Sequence, residues 1–131
     1  MITVTRIRND AMAQRADTGV HQFIIDIPVD GGGGDEGPDP HELYDAALGG
    51  CKATTMVWYA NRKKLALREV EVSVERDASD ERKGVYRLAV RIRIDGDLTE
   101  AQRVELLNVA QKCPIHKLMT EVETVVTTTL V

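Results

Sequence analysis

The alternation of apolar and polar residues changes period along this chain, and each change predicts an element. Met1–Arg6 alternates like a strand, and Val20-His21-Gln22-Phe23-Ile24-Ile25-Asp26-Ile27 is rich in β-favouring residues. Gly31-Gly32-Gly33-Gly34 with Gly37-Pro38-Asp39-Pro40 then stops regular structure; the glycines suit either a flexible connector or backbone packed close to another surface. Beyond Pro40 the period becomes helical. Leu43, Ala47, Gly50, Cys51, Thr54, Val57 and Trp58 recur at three- and four-residue steps, which predicts one face of a helix running to about Arg62. Pro40 at its start and Arg62-Lys63-Lys64 at its end suit a helix dipole. Two adjacent glycines, Gly49 and Gly50, cost about 1 kcal/mol each in a helix interior, so something must approach that backbone. The expectation is a helix buried against a sheet or a partner subunit, with Cys51 on its inner face.

Two alternating runs follow, Val70–Glu75 and Tyr86–Ile94, each with one apolar and one charged face. The polar stretch Asp77–Gly84 between them predicts antiparallel neighbours. Thr99-Glu100-Ala101-Gln102 carries a capping-box signature opening a second helix, with Val104, Leu107 and Ala110 expected inward. Cys113 precedes proline and so is pushed out of helical geometry, with Pro114 opening a short turn through Met119 that brings the sulfur near free backbone N–H groups. A last strand is predicted from about Glu121 to Val131, with Val122, Val126 and Leu130 on one side. The order specifies an α+β fold in which two long helices share one face of an antiparallel sheet.

A chain of 131 residues, 43% hydrophobic, suits a single domain spanning 1–131. Its 17 basic and 21 acidic residues give a net charge of -4, which argues against a nucleic-acid partner. Arg62-Lys63-Lys64 reads as a solvated helix end, and Arg91 with Arg93 as the polar face of a strand. The first residues lack the apolar stretch of a secretory signal, and no run is long enough to span a bilayer, so no membrane association and a cytoplasmic location are expected.

The candidate chemistry lies in two cysteines, Cys51 within the long helix and Cys113 before Pro114. Both positions allow helix ends and backbone amides to tune thiolate character, although buried cysteines also serve as small core hydrophobes. The spacing lacks the paired ligands of a structural zinc site, with His116 the only nearby imidazole in sequence, His21 falling in a strand and His41 at a helix start. His41 lies about 15 Å before Cys51 along the same helix, too far to act as its base. Met56, Trp58 and Tyr59 are candidates for an apolar pocket or for core.

The run Gly37-Pro38-Asp39-Pro40-His41-Glu42-Leu43 leading through Ala46-Ala47-Leu48-Gly49-Gly50 to Cys51, with Cys113-Pro114-Ile115-His116 downstream, resembles the OsmC/Ohr family of osmotically inducible and organic-hydroperoxide-resistance proteins. The resemblance implies an intertwined homodimer with interfacial active sites, no cofactor, a small-molecule hydroperoxide substrate and an external dithiol reductant. It implies that Cys51 is the peroxidatic thiol, forming a sulfenic acid, and Cys113 the resolving thiol that condenses with it. The family also sets an arginine from the N-terminal strands beside the thiol and a carboxylate from the helix start upon that arginine. Arg15 and Glu42 are the matching candidates, with Arg6 and Arg8 as substitutes for the arginine. In the organic-hydroperoxide branch the carboxylate directly follows the proline; this chain has His41 there, and Glu42 fits the Pro-x-Glu-Leu form of less characterised relatives. The alternative use of the same scaffold is a non-catalytic ligand-binding or thiol-sensing protein.

Overall fold

Short alternating segments near the N-terminus find their backbone partners in one another. In the computed structural model, which describes residues 1–131, β1 (Thr3–Arg6), β2 (Gln14–Asp17) and β3 (Gln22–Ile25) form an antiparallel sheet in the order β1-β2-β3. Arg15 pairs with Thr5 on one side and Ile24 on the other, so it belongs to a central strand that the sequence pattern had not marked. This sheet lies in the first of two units, Met1–Tyr44, and the rest of the chain forms the second, Asp45–Val131.

The glycine segment resolves in favour of packed backbone. Asp26, only 2% exposed, accepts hydrogen bonds from the amides of Ile27 at 2.8 Å, Gly34 at 3.0 Å and Glu36 at 3.1 Å. The Glu36 amide above all, then those of Ile27 and Gly34, holds its carboxyl below the usual range against the opposing effect of burial. A β-carbon on Gly33 would lie 1.9 Å from the Ile27 carbonyl oxygen, so no other residue fits without moving the chain.

Helix α1 (Pro40–Lys63) carries the chain from the first unit into the second. Asp39 caps it: the Glu42 amide donates to Asp39 Oδ1 at 2.8 Å and the Asp39 amide to Glu42 Oε2 at 2.9 Å. At the far end the Leu65 amide reaches the Ala60 carbonyl at 2.9 Å while Lys64 turns left-handed at φ 55°. The face predicted as inward is not the one this chain covers. Asp45, Leu48, Gly49, Lys52, Met56 and Ala60 are buried, whereas Ala47, Gly50, Thr54, Val57 and Trp58 are exposed. Both series satisfy helical spacing. The selector is contact with the next hairpin, where Gly49 offers so little bulk that an added β-carbon would stand 3.2 Å from Val74 Cγ2.

That hairpin is β4 (Ala66–Asp77) with β5 (Arg87–Asp97), antiparallel as predicted, with a register shift between Leu67 and Glu69. Its apolar face covers a core of Met56 and Ala60 from α1 and Leu106 and Ala110 from α2 (Glu100–Gln111), joined by Val70, Val72, Ile92 and Ile94. Its other face carries the ion pairs Arg91–Glu75 and Arg93–Glu71. Thr99 caps α2 in the expected box with Gln102. Ala110 of α2 is buried as predicted, and Leu106 joins it in place of Val104 and Leu107, which are 49% and 46% exposed. The short helix α3 (Pro114–Thr120) follows Cys113.

The predicted terminal strand does not form within the chain. Residues 121–131 adopt neither helix nor strand and are exposed, because their β-favouring side chains meet no paired edge: β4 and β5 pair only with each other. No helix is long and apolar enough to cross a membrane.

Candidate functional site

Three segments of the second unit converge on two sulfurs. Cys51 occupies the middle of α1, half-buried, and Cys113 stands at the turn between α2 and α3 with no exposed surface. Both are free thiols, and each accepts from one of two consecutive backbone amides at the start of α3. Pro114 cannot continue α2 and suits the first position of α3, so Cys113 is held extended at φ -64° and ψ 149° as the cap of the new helix. Its sulfur thereby accepts the His116 amide at 3.4 Å, and the preceding amide, that of Ile115, points at the Cys51 sulfur at 3.5 Å. The expectation that the Cys113 turn brings its sulfur to backbone N–H groups is met, and one of those amides serves Cys51 as well.

Electrostatics at Cys113 are mixed. Burial pushes its thiol above the ordinary value, the His116 amide opposes this, the neighbouring Cys51 adds to the rise, and the charge of Lys52 works against it. At neutral pH the balance keeps Cys113 protonated, a latent rather than a free nucleophile.

Lys52 was absent from the sequence-based candidates. It is 4% exposed, and its Nζ lies 3.0 Å from the Ala110 carbonyl oxygen and 3.0 Å from His116 Nδ1. An ammonium has only donors, so the imidazole nitrogen is the acceptor. The signal was present in the series Leu48, Lys52, Met56, Ala60, whose four-residue steps define the covered face once Gly49 is assigned to the sheet. His116 is half-buried and holds its turn, its amide donating to the Cys113 sulfur and its ring meeting Lys52.

Among the other candidates, Glu42 is exposed in the first turn of α1, where its carboxylate closes the Asp39 capping box. Arg15 is exposed on β2. Of the substitutes, Arg8 pairs with Glu36 and Arg6 donates to the Ala11 carbonyl at 2.9 Å. Met56, Trp58 and Tyr59 do not line one pocket. Met56 is core, Tyr59 packs against that core and donates to Glu105, and Trp58 is exposed with the Arg62 guanidinium 5.1 Å from its ring.

A family model described as OsmC-like protein matches residues 32–129. The chain therefore belongs to the OsmC-like family, and its α+β architecture is that of the family's solved members. An OsmC-like protein from Mycoplasma pneumoniae superimposes with a TM-score of 0.72 at 19% identity, covering 93% of this chain and 89% of that one. The organic hydroperoxide resistance protein OhrB of Bacillus subtilis gives 0.61 at 26% identity, with 92% and 91% covered. A protein from Legionella pneumophila described as an organic hydroperoxide resistance protein OsmC gives 0.64 at 20% identity, with 92% and 90% covered. No curated protein matches the chain.

Proposed function

From membership of this family and the convergence of the two thiols on consecutive amides of one turn, we propose that the protein is a two-cysteine thiol peroxidase that reduces hydroperoxides, organic ones in preference to hydrogen peroxide. The family to which it belongs includes proteins described by resistance to organic hydroperoxides, which supports a peroxide-related stress function. The observation that carries the finer reading is that the free thiols Cys51 and Cys113 accept from the consecutive amides of Ile115 and His116, at 3.5 and 3.4 Å.

In the proposed cycle the Cys51 thiolate attacks the terminal peroxide oxygen. The O–O bond breaks, the alcohol leaves after taking a proton, and Cys51 becomes a sulfenic acid. The Cys113 thiolate then attacks the Cys51 sulfur, the S–O bond breaks, and the hydroxide leaves as water after protonation. An external dithiol returns the disulfide to two thiols by exchange. Arg15 and Glu42 are assigned the arginine and carboxylate of the family pattern; for Glu42 this role is additional to its capping bond. No cofactor enters the cycle.

The reading includes a homodimer of one-domain chains in the cytoplasm, where a reducing pool recycles the disulfide. What supports the dimer is exposed apolar surface: Val57 and Trp58 on the outer face of α1 and Val125, Val126 and Leu130 beyond α3. Steady-state consumption of cumene hydroperoxide with a dithiol reductant tests the function. Continuous turnover lost in both Cys51→Ser and Cys113→Ser is expected. Oxidation that stops after one equivalent whatever the reductant would instead mark a thiol sensor.

A further inference from the structure

Lys52 is the only buried cation of the chain, and the peroxide chemistry above gives it no part. A buried ammonium is costly unless its donors are matched, and here two acceptors meet it. The Ala110 carbonyl belongs to the last turn of α2, where carbonyls lack intrahelical partners and the helix dipole favours a cation. His116 belongs to the first turn of α3. One side chain from α1 therefore ties the end of α2 to the start of α3, and Cys113 is the residue between them. The groups that act on Cys113 are Cys51 and Lys52 from α1 and the amide of His116 from α3, whose ring meets Lys52, while α2 presents its carbonyl end to Lys52.

We propose that Lys52 is a positioning residue for the second thiol: its ammonium fixes the turn between α2 and α3 and supplies the positive charge against which the Cys113 thiolate forms when it attacks oxidised Cys51. The assignment deepens the two-cysteine reading and rests on it for its kinetic consequence. It explains how a thiol held up by burial and by its neighbour can still ionise within the site. Lysine suits the task because a compact point charge reaches two acceptors on different helices through a flexible stem.

The direct test needs no peroxide. In a Cys51→Ser background, the ionisation of Cys113 is followed with pH through the Cβ shift of ¹³C-labelled cysteine, with and without Lys52→Met. A nearby opposite charge moves a titrating group by about one to three units, so the midpoint should rise by about one unit in Lys52→Met and fall back in Lys52→Arg. An unchanged midpoint overturns the proposal. Should Lys52→Met not fold, the ammonium ¹⁵N shift of Lys52 in the Cys51→Ser protein is followed instead, and absence of an inflection at the Cys113 midpoint overturns it equally. In single turnover with both cysteines present, Lys52→Met should form the disulfide about tenfold more slowly, with the Cys51 sulfenic acid accumulating to dimedone trapping. Disulfide formation at the unaltered rate contradicts the proposal. Inert thiols toward peroxide alongside a shifted midpoint would refute the peroxidase reading and leave the charge assignment standing.

Discussion

Alkaline pH should unlock one identifiable contact beneath α1. Asp45, 7% exposed, accepts from Arg76 Nε at 2.6 Å and from the Tyr86 hydroxyl at 2.8 Å. Burial first, then the hydrogen bond and charge of Asp45, pushes the Tyr86 hydroxyl up to about 12 from an ordinary value of 10.0. A folded value above the unfolded one means that the native state holds the proton more tightly. The stability from this group is therefore complete below about pH 10 and is lost as pH rises through about 12. With about 1.4 kcal/mol per unit, half of the two-unit difference is lost by about pH 11; partial exposure of the ring reduces the observable loss to about 1 kcal/mol. The assay is urea unfolding of the parent and of Tyr86→Phe at about pH 9 and about pH 11, at one protein concentration. Tyr86→Phe should be less stable at the lower pH by about 1–3 kcal/mol, since it removes a hydrogen bond to a buried carboxylate. The gap should narrow by about 1 kcal/mol at the higher pH. Tyr59, also raised by its bond to Glu105, titrates in both proteins and cancels in the difference. A gap that stays constant, or widens, refutes the reasoning.

Leu106→Ala should cost about 2–5 kcal/mol in chemical denaturation, because Leu106 is fully buried at the centre of the α1, α2 and hairpin core. Lys64→Gly should stabilise by about 0.5–1 kcal/mol, read as a higher melting temperature, since Lys64 occupies a left-handed position at the end of α1 that glycine adopts without a steric penalty. Thr99→Ala should lose about 1 kcal/mol through the α2 capping box. Trp58→Glu, on the exposed face of α1, should convert the proposed dimer to monomers in sedimentation while helix content is retained; an unchanged dimer would remove that face from the interface.

Much of this fold is legible in the residues because local rules and tertiary packing agree. Pro40, the Thr99–Gln102 box and the Cys113–Pro114 break each set an element boundary by chemistry within a few residues, and all three stand where the pattern places them. The alternating β4 and β5 runs constrain their antiparallel pairing because a one-residue slip would turn Val70, Val72, Ile92 and Ile94 away from the core face. What could not be read is which of two acceptable faces of α1 turns inward. Ala and Gly populate both, and the decision belongs to Val72 and Val74, which meet Gly49 from another element. The same ambiguity hid Lys52, whose partners come from α2 and α3, and it made residues 121–131 look like a strand although their composition says nothing about whose edge they would join. Of the candidate site, the two cysteines were legible from their motifs, and their approach depends on the turn at Cys113.

The central claim is that Cys51 and Cys113 act as a redox pair on hydroperoxides, and one single-turnover experiment tests it most directly. The reduced protein is mixed with one equivalent of cumene hydroperoxide or of hydrogen peroxide, free thiols are counted with time, and the products are identified by mass spectrometry. The account predicts rapid loss of both thiols to a Cys51–Cys113 disulfide, faster with the organic peroxide. Thiols that remain reduced for hours, or a sulfenic acid on Cys51 that never closes onto Cys113, would contradict it.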